Sequence, residues 1–181
     1  SRGLGDVYKR QLLVCYDAAT GRKTWSVDIT RDFGGRPSQW GYAESPLVLG
    51  RAVLVTPGGS RCVVALDKKT GRPIWTSSGL SDGVQYSSLI HFKFQRLDLL
   101  ATMTEKSLVC LNAASGQFQW RNDRAAGKTA VIPTPVYSDG HVFGASGYGN
   151  GGACVRVSVA GNRLRGDQAS VSYTHLRAHE T

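Results

Sequence analysis

Residues 65–75 read Ala65-Leu66-Asp67-Lys68-Lys69-Thr70-Gly71-Arg72-Pro73-Ile74-Trp75. Two other stretches align with this one without gaps. They are Cys15-Tyr16-Asp17-Ala18-Ala19-Thr20-Gly21-Arg22-Lys23-Thr24-Trp25 and Cys110-Leu111-Asn112-Ala113-Ala114-Ser115-Gly116-Gln117-Phe118-Gln119-Trp120. Their tryptophans are 50 and 45 residues apart. This period suits a unit of four short strands, since strands average about 5–6 residues and hairpin loops about 2–5. Propeller blades have this length.

Each position in the motif has a physical task. Asp17, Asp67 and Asn112 carry side-chain oxygens that can accept N–H groups of the following turn. Thr20, Thr70 and Ser115 add a second local acceptor. Gly21, Gly71 and Gly116 stand where a tight hairpin needs a positive φ, which glycine takes without steric cost. Trp25, Trp75 and Trp120 fall on the strand after the turn, where a large ring can wedge against a neighbouring blade.

The segments between the motifs repeat as well. Residues 44–48, 86–90 and 132–136 occupy one place in successive units, and each leads to an apolar run at 52–55, 99–103 or 141–145. The strands entering the next motif follow at 62–66, 108–111 and 154–159. A degenerate copy of the motif stands at 157–162, with Gly161 but neither acid nor tryptophan. The expected class is therefore all-β: a partial β-propeller of four-stranded antiparallel blades. It should hold the end of one blade, two complete blades and most of another.

The pattern Ala-x-Asp-x-x-Thr-Gly-x-x-x-Trp, met in full by Ala65 to Trp75, resembles the pyrroloquinoline-quinone (PQQ) repeat. Repeats of this kind build quinoprotein dehydrogenases and also non-enzymatic propellers of the outer-membrane assembly lipoprotein type. The resemblance implies a closed ring of about six to eight blades, of which about three are present. It also implies an exported, periplasmic setting. Fold and chemistry are separate inferences, and two activities stay open. One is a binding or scaffolding module for protein partners or a small planar ligand at the propeller channel. The other is a PQQ- and Ca²⁺-dependent alcohol or sugar dehydrogenase.

In such a ring the first strand of each blade lines the channel, where Glu44, Tyr86 and Ile132 stand at equivalent positions. Glu44 is the carboxylate among them, and hard cations take carboxylate oxygens. By resemblance Glu44, with Tyr42 and Tyr86, is the candidate cofactor-binding set, for PQQ and Ca²⁺. No catalytic residue is assigned. No adjacent Cys-Cys pair occurs, and no Asp stands out as the general base an oxidation needs, so the reading favours a non-enzyme. Trp40, outside the motif, is read as a core anchor or a stacking surface.

Other motifs reduce to structure. The glycine-rich stretch 144–152 joins two strands, whereas a phosphate loop joins a strand to a helix. Cys15, Cys62, Cys110 and Cys154 form no CxxC pair, and cysteine in an apolar strand behaves as a small hydrophobe. His91 and His141 are read as ordinary strand residues. No apolar run reaches the length of a transmembrane segment.

Residues 1–11 and 171–181 read SRGLGDVYKRQ and VSYTHLRAHET, and both back-translate onto the two strands of one DNA string resembling a sequencing-library adapter. Both tails are expected to be non-native, with 12–170 the natural part of a longer protein. The whole chain carries 22 basic and 13 acidic residues, a net +9, and 12–170 keeps 18 against 11, or +7. No run reaches five or six like charges. Solvated surface is the expected reading, with no nucleic-acid partner.

Overall fold

A computed structural model describes residues 11–127, 129–161 and 163–172. The chain forms fourteen strands and one short helix in these residues. Strands β1 (Leu12–Tyr16) and β2 (Lys23–Asp28) form a two-stranded sheet. Strands β3 (Leu47–Leu49), β4 (Ala52–Val55), β5 (Val64–Asp67) and β6 (Pro73–Thr76) form the first complete blade. The next is β7 (Ile90–Phe94), β8 (Leu97–Met103), β9 (Leu108–Asn112) and β10 (Phe118–Asn122). The last is β11 (Val136–Ser138), β12 (His141–Ser146), β13 (Gly151–Ala160) and β14 (Arg163–Ser172). We call these four sheets blades 1 to 4. Within each blade, strands adjacent in sequence pair antiparallel. The all-β propeller architecture read from the repeats is the architecture observed.

The last blade has all four strands rather than most of them. Its fourth strand runs two residues past the expected boundary at 170. The rest of the two tails, 1–10 and 173–181, lies outside the described residues.

The motif turns form as their chemistry dictates. Asp17 N–H donates to the Arg22 carbonyl at 2.8 Å, and Asp67 and Asn112 repeat this with Arg72 and Gln117 at 2.7 and 2.8 Å. One side-chain oxygen of Asp17 accepts the N–H groups of Ala19 and Thr20 and the Thr20 hydroxyl. Asp67 and Asn112 make the same three contacts. Gly21, Gly71 and Gly116 take φ of 68°, 71° and 71°.

The glycines at 71 and 116 have a second task. A Cβ on Gly71 would meet the Trp25 ring of the preceding blade at 2.8 Å, and one on Gly116 would meet Trp75 closer still. Each tryptophan lies against the turn glycine of the following blade. Trp25 adds a hydrogen bond from Nε1 to the Lys68 carbonyl at 3.0 Å. Trp120 departs from the pattern. It sits on Gly166 in β14, where an added Cβ would come within 2.5 Å of the ring, whereas Gly161 has open space around it. The degenerate motif copy therefore keeps the turn glycine (φ 60°) but moves the docking surface five residues on. Trp120 is 5% exposed, while Trp25 and Trp75 are half-buried.

The core lies between blades. On β4, Val53 and Val55 face the blade 1 side while Leu54 faces blade 3. On β9, Val109 and Leu111 face blade 2, and Leu108 and Cys110 face blade 4. Successive side chains of a strand point to opposite faces. A strand buried on both faces therefore reads as a continuous apolar run, as 62–66 and 108–111 do.

Helix α1 (Ile29–Phe33), absent from the sequence reading, lies between blades 1 and 2 in chain order. Asp28 caps it by accepting Arg31 N–H at 2.9 Å, and Asp32 accepts Asp28 N–H in return at 3.1 Å. This reciprocal cap stabilises a single turn. Ile29 and Phe33 anchor it in the core.

Candidate functional site

The segments leading into β3, β7 and β11 lie side by side and are tied to one another. Trp40 N–H donates to the Tyr86 hydroxyl at 3.0 Å, and Ser45 N–H donates to Ser88 Oγ at 2.9 Å. One blade further on, Tyr86 N–H donates to the Val131 carbonyl at 3.1 Å. Val131 N–H donates to the buried Gln85 side chain at 3.2 Å. These bonds satisfy backbone groups that would otherwise be stranded in loops.

The ties bring Trp40, Ala43, Tyr86, Ala130 and Ile132 around one apolar cup of about 300 Å³. The Trp40 and Tyr86 rings are 6.0 Å apart and tilted by 42°. Trp40 and Ile132 are each 62% exposed. Trp40 is thus a surface residue of the cup and not a core anchor.

The candidate residues separate in the structure. Tyr86 lines the cup. Tyr42 is buried between blades 1 and 2, where its hydroxyl donates to the Pro57 carbonyl at 2.8 Å. Burial pushes its phenol up to about 12. It does not line the cup with Tyr86. Glu44 follows Ala43, three residues before β3. Its Oε1 accepts Thr56 N–H at 2.6 Å, while Oε2 is buried with no hydrogen-bond partner among the described residues. Burial raises its carboxyl to about 7, and hydrogen bonding from Thr56 offsets part of that rise. Withdrawal from water disfavours the charged form of an acid.

One polar cluster was not foreseen in the sequence. Asp82, with its side chain 2% exposed, receives Arg121 Nη2 on both oxygens at 3.1 and 2.9 Å and the Thr104 hydroxyl at 2.7 Å. It forms part of the wall of a polar cavity of about 370 Å³ that Arg36, Gln39, Glu105 and Lys106 also line. Asp82-Gly83 resembles any turn dipeptide in sequence. Only a partner 39 residues away distinguishes it.

The remaining polar groups read as structure. The four cysteines are free, and burial pushes Cys62 up to about 12 and Cys110 higher. His91 bonds Asp98 across β7 and β8 at 2.9 Å, an ordinary cross-strand contact. Among the described residues no three His, Cys, Asp or Glu side chains gather as a metal site.

Residues 7–180 match the PQQ_2 family model, described as outer membrane protein assembly factor BamB. The chain belongs to the PQQ_2 family. Among solved structures, BamB from Moraxella catarrhalis shares its fold, with 18% identity and a TM-score of 0.53 over 80% of this chain. The PQQ_2 chain spans 42% of that protein. The quinohemoprotein alcohol dehydrogenase ADHIIG from Pseudomonas putida HK5 aligns at 16% identity and a TM-score of 0.47, over 86% of this chain and 28% of its own. No curated protein matches the chain in sequence. No helix among the described residues is long and apolar enough to cross a membrane.

Proposed function

We propose that this chain is part of an exported propeller whose task is to bind and scaffold a protein partner through the cup of Trp40, Tyr86 and Ile132. One observation carries the reading: loops of three successive blades expose an aromatic and an aliphatic anchor around a single apolar hollow. Exposed aromatics in a concave patch are the residues that dominate protein interfaces. The family's description, an assembly factor of the outer membrane, supports both the partner class and export. The test uses the full-length propeller. Cross-linking in cells should give a defined complex with wild type that Trp40→Ser with Ile132→Ser abolishes, with circular dichroism unchanged. A complex that survives the double substitution overturns the assignment. Tight binding of PQQ and Ca²⁺ together with alcohol oxidation overturns the scaffolding reading itself.

A PQQ- and Ca²⁺-dependent dehydrogenase is the second reading, favoured by the unpartnered Oε2 of Glu44, next in sequence to Ala43 of the cup. The residues present do not complete that site. Ca²⁺ takes about six to eight oxygens, and the described residues here offer one free carboxylate oxygen. Tyr42 is committed to Pro57.

A further inference from the structure

Positive charges dispersed along the sequence gather at one end of blades 1 and 2. The Trp25 indole bond to the Lys68 carbonyl, at 3.0 Å, lays the 17–22 turn beside the 67–72 turn. Lys68 N–H donates to the Arg51 carbonyl at 2.9 Å, which adds the β3–β4 turn. Arg22, Lys23, Arg51, Lys68, Lys69 and Arg72 share this end, and all are exposed.

The two acids on this end do little to neutralise them. Asp17 is turned onto its own loop, and hydrogen bonding there holds its carboxyl below the usual range. Asp67 is turned onto its loop with one oxygen and meets Arg51 with the other at 3.3 Å. Among the described residues no carboxylate pairs with Arg22, Lys23, Lys68, Lys69 or Arg72.

The turn itself does not require these charges. The equivalent turn of blade 3, Asn112 to Gln117, makes the same bonds and has no charged residue. The cations are therefore additional to what the fold needs. Tyr16, 60% exposed and paired with Lys23 in register, adds an aromatic ring with a polar tip. That combination suits a lipid–water interface.

We propose that this end of blades 1 and 2 docks onto the anionic headgroups of a lipid bilayer. The cations sit on projecting turn tips, so a planar anionic surface meets them together. The lead-in loops enter β3 and β7 at the opposite end of the sheets from these turns, because each strand reverses direction. Bilayer contact at the turns would leave the cup facing away from the lipid, so the inference holds whether or not the cup binds a protein.

The experiment is co-sedimentation of the full-length protein with phosphatidylcholine vesicles, with and without phosphatidylglycerol. Binding should need phosphatidylglycerol and fall with added salt. Each cation near an anionic surface contributes about a fivefold gain in affinity. Replacing Arg22, Lys23, Lys68 and Lys69 with Gln should therefore weaken binding about 600-fold. Arg61→Gln with Arg124→Gln, exposed in the β4–β5 and β10–β11 loops at the opposite end of the sheets, should leave it unchanged. Equal binding to both vesicle types, or full binding by the fourfold variant, overturns the proposal. Binding to soluble DNA or polyglutamate without vesicle binding overturns it too, and would assign the patch to a polyanion.

Discussion

Glu44→Gln should stabilise the propeller by an amount that grows as pH rises from about 4.5 to about 7 and is constant above. The wild-type carboxyl is raised from 4.5 to about 7 by burial. The folded state therefore holds its proton more tightly than the unfolded chain does. Below the unfolded pKa both states are protonated and the group contributes nothing. As pH rises through the window between 4.5 and about 7, the unfolded state ionises first and stability falls. One pKa unit is worth about 1.4 kcal/mol, so the full penalty above the window is about 3 kcal/mol. The glutamine amide would keep an oxygen to accept Thr56 N–H and would carry no charge. Urea unfolding of full-length protein, followed by tryptophan fluorescence, provides the assay. At about pH 8 the midpoint of the variant should rise by about 1 M, taking a slope of about 2–3 kcal/mol/M. At about pH 4, below the unfolded value, the two midpoints should nearly coincide. Equal shifts at both values, or a variant less stable at the higher pH, would show that the carboxylate is compensated in the fold and would refute the burial argument.

The docking geometry gives a paired test. Gly116→Ala should lower stability by about 2–4 kcal/mol, from positive-φ strain plus displacement of the Trp75 ring, whereas Gly21→Ala, with open space around it, should lower it by about 1 kcal/mol. Chemical denaturation of the two variants measures the difference, and equal effects would mean the ring does not rest on Gly116. Trp120→Ala should destabilise by about 3–5 kcal/mol, as loss of a buried ring does. The half-buried Trp75 should lose less on the same change, and the reverse order would contradict the burial difference. Asp82→Asn should lower the unfolding free energy by about 2–3 kcal/mol by weakening the charged hydrogen bonds to Arg121. A change below about 0.5 kcal/mol would mark Asp82 as a surface group.

Most of the architecture was legible because it is specified locally. The Asp-to-Gly turns are built from contacts three residues long, and the positive φ of Gly71 can be inferred from its place after Thr70. The same locality explains what the sequence did not disclose. Asp28 and Asp32 hold a one-turn helix whose five residues are too few to show a period. The fourth strand of the last blade carries no motif tryptophan to announce it, yet β14 pairs with β13 as far as Ser172. Gly161 kept its turn while the docking surface moved to Gly166.

The site belongs to the tertiary structure. Glu44, Tyr42 and Tyr86 stand together as candidates in the sequence, yet Tyr42 is packed between blades 1 and 2 and Tyr86 faces a cup with Trp40 and Ile132. Sequence alone determined the repeat, the turns, the strand order and the docking tryptophans, because each depends on neighbours along the chain. The tertiary structure decided the exposure of Trp40, the raised carboxyl of Glu44, the Asp82–Arg121 pair and the gathering of cations at one end. Each of these depends on groups distant in sequence being brought together, and on the water that packing between blades excludes.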